Sequence, residues 1–189
     1  MKDTEYRRLF LAIPIEPKVP FLQAFAKFQD EFKGAKVTWV KPENMHLTLV
    51  FLGYVVSEDL YLLIKILKAT RWSKAFELQF KGLRRFGRGR QTGAIFVDVV
   101  NKKPLVALQA ELISLLDSKQ IKFDHKNYHP HLTLGRLRKI RDSDLISSHI
   151  MRCDDQFELQ QSVNSFHLYE SLLTTNGPIY KSLLRLELF

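Results

Sequence analysis

Apolar residues recur along this chain with two different periods, which predict helices and strands in alternation. Apolar positions three and four residues apart predict a helix over Val19–Phe32. Ser57 and Pro104 are typical of helix starts and begin two more helices, which we expect to end near Lys68 and Ser118. A fourth helix is predicted near Ser143–Met151, and strands are predicted at Leu9–Ile13, Val37–Val40, Phe76–Leu83, Ala94–Val100, Ser162–Tyr169 and Tyr180–Leu188, the last two around a turn at Gly177-Pro178. The order of strands and helices recurs on both sides of about residue 90.

The tetrapeptide His-Leu-Thr-Leu occurs twice, at His46–Leu49 and at His131–Leu134. Side chains alternate between the two faces of a strand, so each copy places its His and Thr on one face and its two Leu on the other. The Leu face requires a hydrophobic core, and the other face requires polar surroundings. The two copies lie 85 residues apart (131 − 46), about half of the chain, as a duplication with a central cleft requires.

Two such strands brought together would form a cleft that holds two imidazoles and two hydroxyls. Because imidazole titrates near neutral pH, this is the equipment for general acid–base catalysis on an anionic substrate. One histidine must be neutral and the other protonated, and the sequence leaves open which is which. The alternative is that two half-buried strands each carry a histidine with a purely structural role.

Charge and composition narrow the class of protein. The chain has 29 Lys and Arg against 20 Asp and Glu, and its formal charge of +9 suits an anionic partner such as nucleic acid, a phosphate ester or a membrane surface. The single cysteine, Cys153, excludes an internal disulfide and fits a reducing, cytoplasmic compartment. The N-terminus does not resemble a signal peptide, and no apolar run approaches the roughly 18 residues of a membrane span.

The segments around the two motifs carry a resemblance to a known family. The paired motifs resemble those of the two-histidine phosphoesterase superfamily, and their flanks are similar to the bacterial and archaeal RNA 2′,3′-cyclic phosphodiesterases, also called 2′-5′ RNA ligases. The matching segments are 8–13, Trp39, 43–53, 130–136, 168–171 and 177–180, in the order of the family, so the resemblance covers essentially the whole chain. The chain departs from the family at Ala94-Ile95-Phe96, where many members have a Trp on the base-facing side of the pocket.

The resemblance implies a fold and an activity. The fold is a bilobal, pseudo-symmetric α+β duplication, one two-lobed domain over residues 1–189, whose two antiparallel sheets line a central cleft with the helices outside. The activity is hydrolysis of a 2′,3′-cyclic phosphate at an RNA end to a 2′-phosphate, without a metal or another cofactor, and some members join RNA ends through a 2′-5′ linkage. We therefore expect an RNA with a cyclic phosphate end as the partner, no membrane association and a monomer.

The resemblance also assigns roles to the two motifs. His46 would protonate the departing 3′ oxygen, and His131 would be the base that activates water. Thr48 and Thr133 share a face with their histidines, and their hydroxyls could hold the non-bridging phosphate oxygens. Arg136 would lie on the opposite face of a regular strand, but a bend at Gly135 could return it to the phosphate, where a guanidinium stabilises developing charge. The alternative for Arg136 is a solvated arginine at a strand end.

A basic segment at residues 81–90 is predicted to be a loop that holds the RNA beyond its reactive end. It carries five cations, three glycines and one aromatic residue, and the RNA contacts are expected from Arg85, Phe86, Arg88 and Arg90. A solvated basic loop is the alternative. Neighbouring histidines at 125, 129 and 131 match no zinc spacing that we recognise, so no metal site is predicted.

Two other functions remain open from the sequence. The first keeps the fold but acts on another cyclic phosphate ester of a nucleotide. The second is an RNA-binding module without turnover. The paired histidines argue against the second, because a binding module needs cations more than it needs titrating imidazoles.

Overall fold

The computed structural model describes residues 5–32, 36–87, 92–125, 127–139, 143–175 and 177–189. Within them lie nine strands and four α-helices. In chain order these are β1 (Tyr6–Pro14), α1 (Val19–Glu31), β2 (Lys36–Trp39), β3 (His46–Val56), α2 (Ser57–Ala69), β4 (Phe76–Phe86), β5 (Gly93–Val99), α3 (Lys103–Ser118), β6 (His131–Lys139), α4 (Ser143–Cys153), β7 (Glu158–Val163), β8 (Ser165–Thr174) and β9 (Gly177–Glu187). Two short 3₁₀ turns cover Pro42–Asn44 and Asp154–Gln156.

The strands form two antiparallel sheets. The first sheet has the order β3-β1-β8-β9, and the second has the order β2-β6-β5-β4-β7. The predicted α+β fold with two antiparallel sheets is therefore confirmed. Each sheet takes strands from both halves of the chain, because β8 and β9 complete the first sheet while β2 and β4 belong to the second. The two halves of the chain, in which the order of strands and helices recurs, are thus interleaved in space.

The helices cover the sheet faces that carry the leucines of the two motifs. Helices α2 and α3 contact β3 of the first sheet, and α4 contacts β4 of the second. Helix α1 packs Phe28 edge-on against Trp39 of β2 and against Phe157, which precedes β7. Leu47 and Leu132, the first leucines of the motifs, are fully buried among these elements. Burial of the leucine face therefore decides that the histidine face of each strand is turned away from the helices.

A β-bulge interrupts each motif strand at the same motif position. In β3 the pairing with β1 passes from Thr48–Ala12 to Val50–Leu11, and Leu49 has no partner residue. In β6 the pairing with β5 passes from Thr133–Phe96 to Gly135–Ile95, so Leu134 is the extra residue. A bulge places two residues opposite one and inverts the alternation beyond it. The residue five positions after each histidine therefore lies on the histidine face, and these residues are Phe51 and Arg136.

The structure corrects one predicted loop and one predicted turn. The basic segment is not a loop throughout, because β4 continues to Phe86, which pairs with Ala94 of β5. Gly82, with φ of +82°, lies where the pairing of β4 with β5 shifts register. The strand continues beyond this shift to Phe86. At the other end, the β8–β9 pairing extends to Thr174 and Gly177, so Gly177-Pro178 begins strand β9 and is not the turn.

Strand β7 was not predicted as a separate strand. The sequence predicted one strand that began at Ser162, but residues 158–163 pair with β4 and residues 165–174 pair with β1 and β9. Gln161 lies on the same face as Leu159 and Val163 and interrupts the apolar alternation of β7, at the edge of the second sheet. An edge strand has one face and one unpaired backbone edge in water, so its apolar pattern in the sequence is weaker.

We predict that Gly135→Ala destabilises the protein by about 1–3 kcal/mol, the usual cost of overpacking. A Cβ at this position would lie 2.6 Å from the Trp39 ring and 2.8 Å from the Val37 side chain. The Trp39 ring cannot withdraw easily, because three phenylalanines of the α1 region, Phe25, Phe28 and Phe32, pack against it. Urea unfolding measures the loss. The loss should be smaller in a Trp39→Leu background, and equal losses in both backgrounds would contradict this explanation.

Candidate active site

The two motif histidines are held in the same way by the backbone. His46 and His131 are the first residues of β3 and β6. The Nδ1 of His46 lies 2.7 Å from the carbonyl oxygen of Asn44, and the Nδ1 of His131 lies 2.6 Å from that of His129. A carbonyl oxygen can only accept, so Nδ1 carries a proton and donates it in both rings. The remaining nitrogen, Nε2, is therefore the one that can take up or release a proton in each ring.

The histidines and Arg136 act on one another electrostatically. The pKa of His46 is lowered first by burial and then by the positive charges of Arg136 and His131, against the effect of the hydrogen bond that its ring donates to the Asn44 carbonyl. The pKa of His131 is also lowered, mainly by burial and then by the charges of His129 and Arg136. The hydrogen bond to the His129 carbonyl and the charge of Asp98 oppose this shift. Asp98 is the cross-strand partner of His131. The two imidazoles are therefore partly desolvated, and the charge of the exposed Arg136 acts on both of them.

Aromatic rings explain why the two imidazoles are desolvated. Around His46, the ring centroid of Phe10 is 5.1 Å away and that of Tyr180 is 5.0 Å away. Around His131, the Phe96 ring is 5.2 Å away and the Phe86 ring is 4.9 Å away. Each ring lies on a strand next to its histidine, but Phe10 pairs with Phe51 whereas Phe96 pairs with Thr133. Each histidine thus has two aromatic neighbours that exclude water from its ring.

The threonines of the motifs lie where the alternation predicted. Thr48 and Thr133 are half-buried and stand on the histidine face of their strands. Leu49 and Leu134, which follow them, are buried on the opposite face. The structure therefore brings His, Thr and a residue five positions after the His onto one face in each sheet.

Arg136 reaches the histidine face through the bulge at Leu134. Its charge contributes to the lowered pKa of both histidines and opposes the rise that burial causes in the pKa of Tyr180, and Arg136 lines the same cavity as His46 and Tyr180. The inverted alternation is visible in the burial of the strand, since Leu134 and Gly135 are both buried while Arg136 is exposed. The bulge thus does what a bend at Gly135 was expected to do. Phe51, the corresponding residue of the first motif, contributes a ring instead of a charge.

Two cavities flank the ring of His46, and both also contact Phe10 and Tyr180. The cationic cavity has a volume of about 510 Å³ and is lined by Arg8, Lys122 and Arg136, with Asp124 also in its wall. The apolar cavity has a volume of about 320 Å³ and lies on the other side of these rings, towards Pro14, Pro42 and Tyr169.

The structure separates the predicted RNA contacts of the basic segment. Phe86 faces the site, where its ring stacks on Phe96 at 4.1 Å and lies edge-on to His131. Arg85 pairs with Ile95, which is buried in the core. The position of Arg85 is therefore on the core face of the sheet, opposite to the histidine face. Arg88 and Arg90 lie outside the described residues. Two further cations of the segment form ion pairs within the chain, Lys81 with Glu158 and Arg84 with Asp154.

Sequence reasoning assigned no role to Phe10, Tyr180 or Arg8. Arg8 and Phe10 lie on the central strand β1, whose apolar run was interpreted as core only. The pairing of β1 with β3 puts both on the histidine face, because Phe10 is opposite Phe51 and Arg8 is opposite Tyr54. Tyr180 comes from β9, far from both motifs in sequence. The alternation of side chains along β1 is the signal that could have revealed Arg8 and Phe10.

Three of the remaining histidines have other neighbours. His125 packs on Phe123, His149 lies 3.9 Å from Glu31, and the Nδ1 of His167 lies 2.9 Å from the Ser182 hydroxyl. Within the described ranges, no three His, Cys, Asp or Glu side chains come together in a group that could hold a metal ion. None of the described helices is both long enough and apolar enough to cross a membrane.

Known proteins resemble this chain over nearly its whole length. The sequence model of the 2′-5′ RNA ligase superfamily matches residues 17–174. The chain belongs to this superfamily. The RNA 2′,3′-cyclic phosphodiesterase of Methanocaldococcus jannaschii is 32% identical over 174 residues, which are 92% of this chain and 96% of that protein. The enzyme of the same name from Thermotoga maritima is 33% identical over 93% of this chain and 92% of its own length.

The fold agrees with solved structures of relatives. The crystal structure of E. coli LigT complexed with 3′-AMP superimposes with a TM-score of 0.76, at 26% identity, over 97% of this chain and 99% of that one. The family suggested by the paired motifs is therefore confirmed, and with it an enzyme of the superfamily. A single domain over residues 1–189, a monomer and a cytoplasmic location stay predictions.

We predict that His46 and His131 both titrate below the 6.5 of an unperturbed imidazole, because burial and Arg136 disfavour their charged forms. At neutral pH both rings should be neutral, with the proton on Nδ1. Nitrogen-15 chemical shifts measured between pH 4 and 9 report both the midpoint and the tautomer. Replacing Arg136 by Gln should raise both midpoints, whereas a wild-type midpoint above 6.5 in either ring would contradict the prediction.

Proposed function

We propose that the protein hydrolyses the 2′,3′-cyclic phosphate at an RNA end to a 2′-phosphate, with His46 as the acid and His131 as the base. One observation carries the proposal. Two partly desolvated imidazoles, each anchored through Nδ1 to a backbone carbonyl, lie near enough to one guanidinium for its charge to lower the pKa of both. The relatives from M. jannaschii and T. maritima are named for this activity, which supports the choice of substrate.

The proton transfers require that His46 has gained a proton and His131 is neutral when the substrate is bound. The free Nε2 of neutral His131 takes a proton from water as the water oxygen attacks phosphorus. The bond between phosphorus and the 3′ oxygen breaks, and the protonated Nε2 of His46 gives its proton to that oxygen. The products are a 2′-phosphate and a 3′-hydroxyl. The cycle ends with His131 protonated and His46 neutral, and exchange with solvent restores both rings.

The surrounding groups match the charges of this reaction. Asp98 opposes the lowering of the His131 pKa, so it stabilises the imidazolium that forms as His131 takes its proton. Negative charge develops on the non-bridging phosphate oxygens, and the Arg136 guanidinium and the hydroxyls of Thr48 and Thr133 would bind them. With a cationic cavity beside His46, the site suits a phosphate diester joined to a longer chain.

The joining of RNA ends is a second reaction that the same groups would support. An RNA 5′-hydroxyl would take the place of water, lose its proton to His131 and form a phosphodiester with the 2′-linked phosphate, while His46 again protonates the 3′ oxygen. The description of the superfamily as 2′-5′ RNA ligases favours this candidate. Water at high concentration competes with the hydroxyl, so hydrolysis is the primary proposal.

We predict that His46→Ala and His131→Ala each lower the kcat for a 2′,3′-cyclic mononucleotide by roughly 10²–10⁴-fold, the usual contribution of a general acid or base. The binding of a non-hydrolysable 3′-nucleotide should change little, because the cations of the site remain. His125→Ala is the matched control, since it removes an exposed imidazole outside both motifs. Full activity in either motif variant would disprove the assignment of that histidine. Binding of RNA without turnover by the wild type would favour a binding module.

We also predict that activity survives dialysis against EDTA, because the proposed steps need only side chains. The assay uses the same cyclic mononucleotide before and after dialysis, with a metal-dependent phosphodiesterase treated in parallel as the control. Retention of most of the kcat is the expected result. Loss of activity that zinc or manganese restores would show a metal-dependent reaction, and attention would return to His125, His129 and His131.

A further inference from the structure

Three exposed aromatic side chains form a row on the histidine face of the first sheet, and we call Phe51, Tyr54 and Tyr6 the aromatic row. Phe51 is 42% exposed, Tyr54 is 68% exposed and Tyr6 is 61% exposed. Tyr54 of β3 pairs with Arg8 of β1, and Tyr6 lies two residues from Arg8 on β1, so both share the face of Arg8. The row begins at Phe51, which pairs with Phe10 beside His46, and leads away from the candidate active site.

A second bulge in β3 brings Phe51 and Tyr54 onto one face. The pairing with β1 passes over Leu52, which has no partner residue, and resumes at Gly53. Gly53 has φ of +72°, a left-handed conformation that glycine adopts without steric cost. Because this bulge inverts the alternation once more, two aromatic residues three positions apart both lie on the histidine face.

Cationic side chains accompany the aromatic row. Arg8 and Lys122 line the cationic cavity together with Phe51 and Arg136, and the three cations outnumber Asp124, the carboxylate described in its wall. The segment that carries Lys122 runs beside β3, because the backbone N–H of Asp124 donates to the carbonyl oxygen of Phe51 at 2.8 Å. Positive charge and aromatic rings therefore lie together at the start of the row.

Arg8 connects the aromatic row to the candidate active site. Its Nη1 donates to the hydroxyl of the buried Ser171 at 3.1 Å, which holds the guanidinium in place. Burial raises the pKa of Tyr180, and the charges of Arg136 and Arg8 oppose this rise. The ring of Tyr180 lies 5.0 Å from that of His46. The row is thus continuous with the place where the reactive end would bind.

We propose that the nucleotides that precede the reactive end of a single-stranded RNA bind along the aromatic row. Their bases stack on Tyr54 and Tyr6, and their phosphates lie beside Arg8 and Lys122. This inference rests on the proposed cyclic phosphodiesterase activity and names the surface that holds the rest of the substrate. Aromatic rings that bases can stack on, beside cations that attract phosphates, are the combination with which proteins bind single strands.

The length and exposure of the row favour unpaired nucleotides. At 3.4 Å per residue, the stretch of β1 from Phe10 to Tyr6 spans about 14 Å, which accommodates two or more nucleotides. In a duplex the bases stack within the helix and pair with the opposite strand, so their faces cannot reach the rings. Stacking on a ring tolerates every base, because every base has a π-face. The surface therefore selects single strands without selecting a sequence.

The test compares a 2′,3′-cyclic mononucleotide with an RNA trinucleotide that ends in the same cyclic phosphate. For the wild type we expect kcat/KM to be roughly tenfold higher for the trinucleotide, the effect of one well-stacked base. In Tyr6→Ala/Tyr54→Ala this ratio should fall towards one, whereas Tyr6→Phe/Tyr54→Phe keeps both rings and should keep the ratio. Tyr61→Ala is the matched control, since Tyr61 is an exposed tyrosine of α2, on the leucine side of the sheet. An effect on folding or on the chemistry at the reactive end cancels in the ratio.

A second arm tests the phosphate contacts through their salt dependence. Lys122→Gln should flatten the fall of the trinucleotide kcat/KM with rising salt, because fewer counterions are released on binding. Lys65→Gln removes an exposed cation from α2 and is the control. Equal salt dependence in Lys122→Gln and the wild type would overturn the role of Lys122.

The outcomes separate this inference from the proposed activity. Hydrolysis of neither substrate by the wild type would reject the proposed function, and binding of a single-stranded RNA hexamer to the same variants would then decide the surface. A ratio near one in the wild type, or a raised ratio that the double alanine variant retains, would leave the activity intact and overturn this inference. An equal loss in the double phenylalanine variant would exclude stacking and overturn it too. So would a wild-type dimer that the double alanine variant converts to monomers, because the row would then belong to a contact with a second copy of the chain.

Discussion

The site depends on the β-bulge that follows each His-x-Thr sequence. In both strands the leucines on the far side are held by the core, and burial of each contributes about 1.5–3 kcal/mol. A shift of one residue would expose them, so the core fixes which face carries His46 and His131. The bulges at Leu49 and Leu134 add one buried residue each and invert the alternation. Without them the residue five positions after each histidine would point into the core.

The bulges are equivalent, but the residues that they deliver are not. Phe51 in the first sheet meets the Phe10 ring at 6.1 Å, whereas Arg136 in the second places a charge near both histidines. Phe51 and Arg136 both line the cationic cavity, together with His46. The two similar motifs therefore supply different groups to one space, a ring from the first sheet and a charge from the second.

Electrostatics and desolvation act together on the imidazoles. Aromatic rings on β1, β4, β5 and β9 exclude water, and Arg136 adds positive charge, so both pKa values fall. A lowered pKa makes His46 a stronger acid when it is protonated and keeps His131 available as a base. A bound phosphate would oppose the charge of Arg136 and favour protonation of one ring. The substrate would thereby help to create the unequal pair of protonation states that the proposed reaction requires.

The sequence by itself determined the family, the α+β class, most helices and strands, and the faces of His46, Thr48, His131 and Thr133, because a period of two and a repeated motif are local properties. Tertiary structure decided the rest. The distribution of each half over both sheets, and the approach of Tyr180 to His46, depend on pairing between distant strands. The end of β4 at Phe86 and the turn of Arg136 towards the histidines depend on bulges. A bulge is specified by how a strand packs between its neighbour and the core, and no pattern along a single strand records that packing.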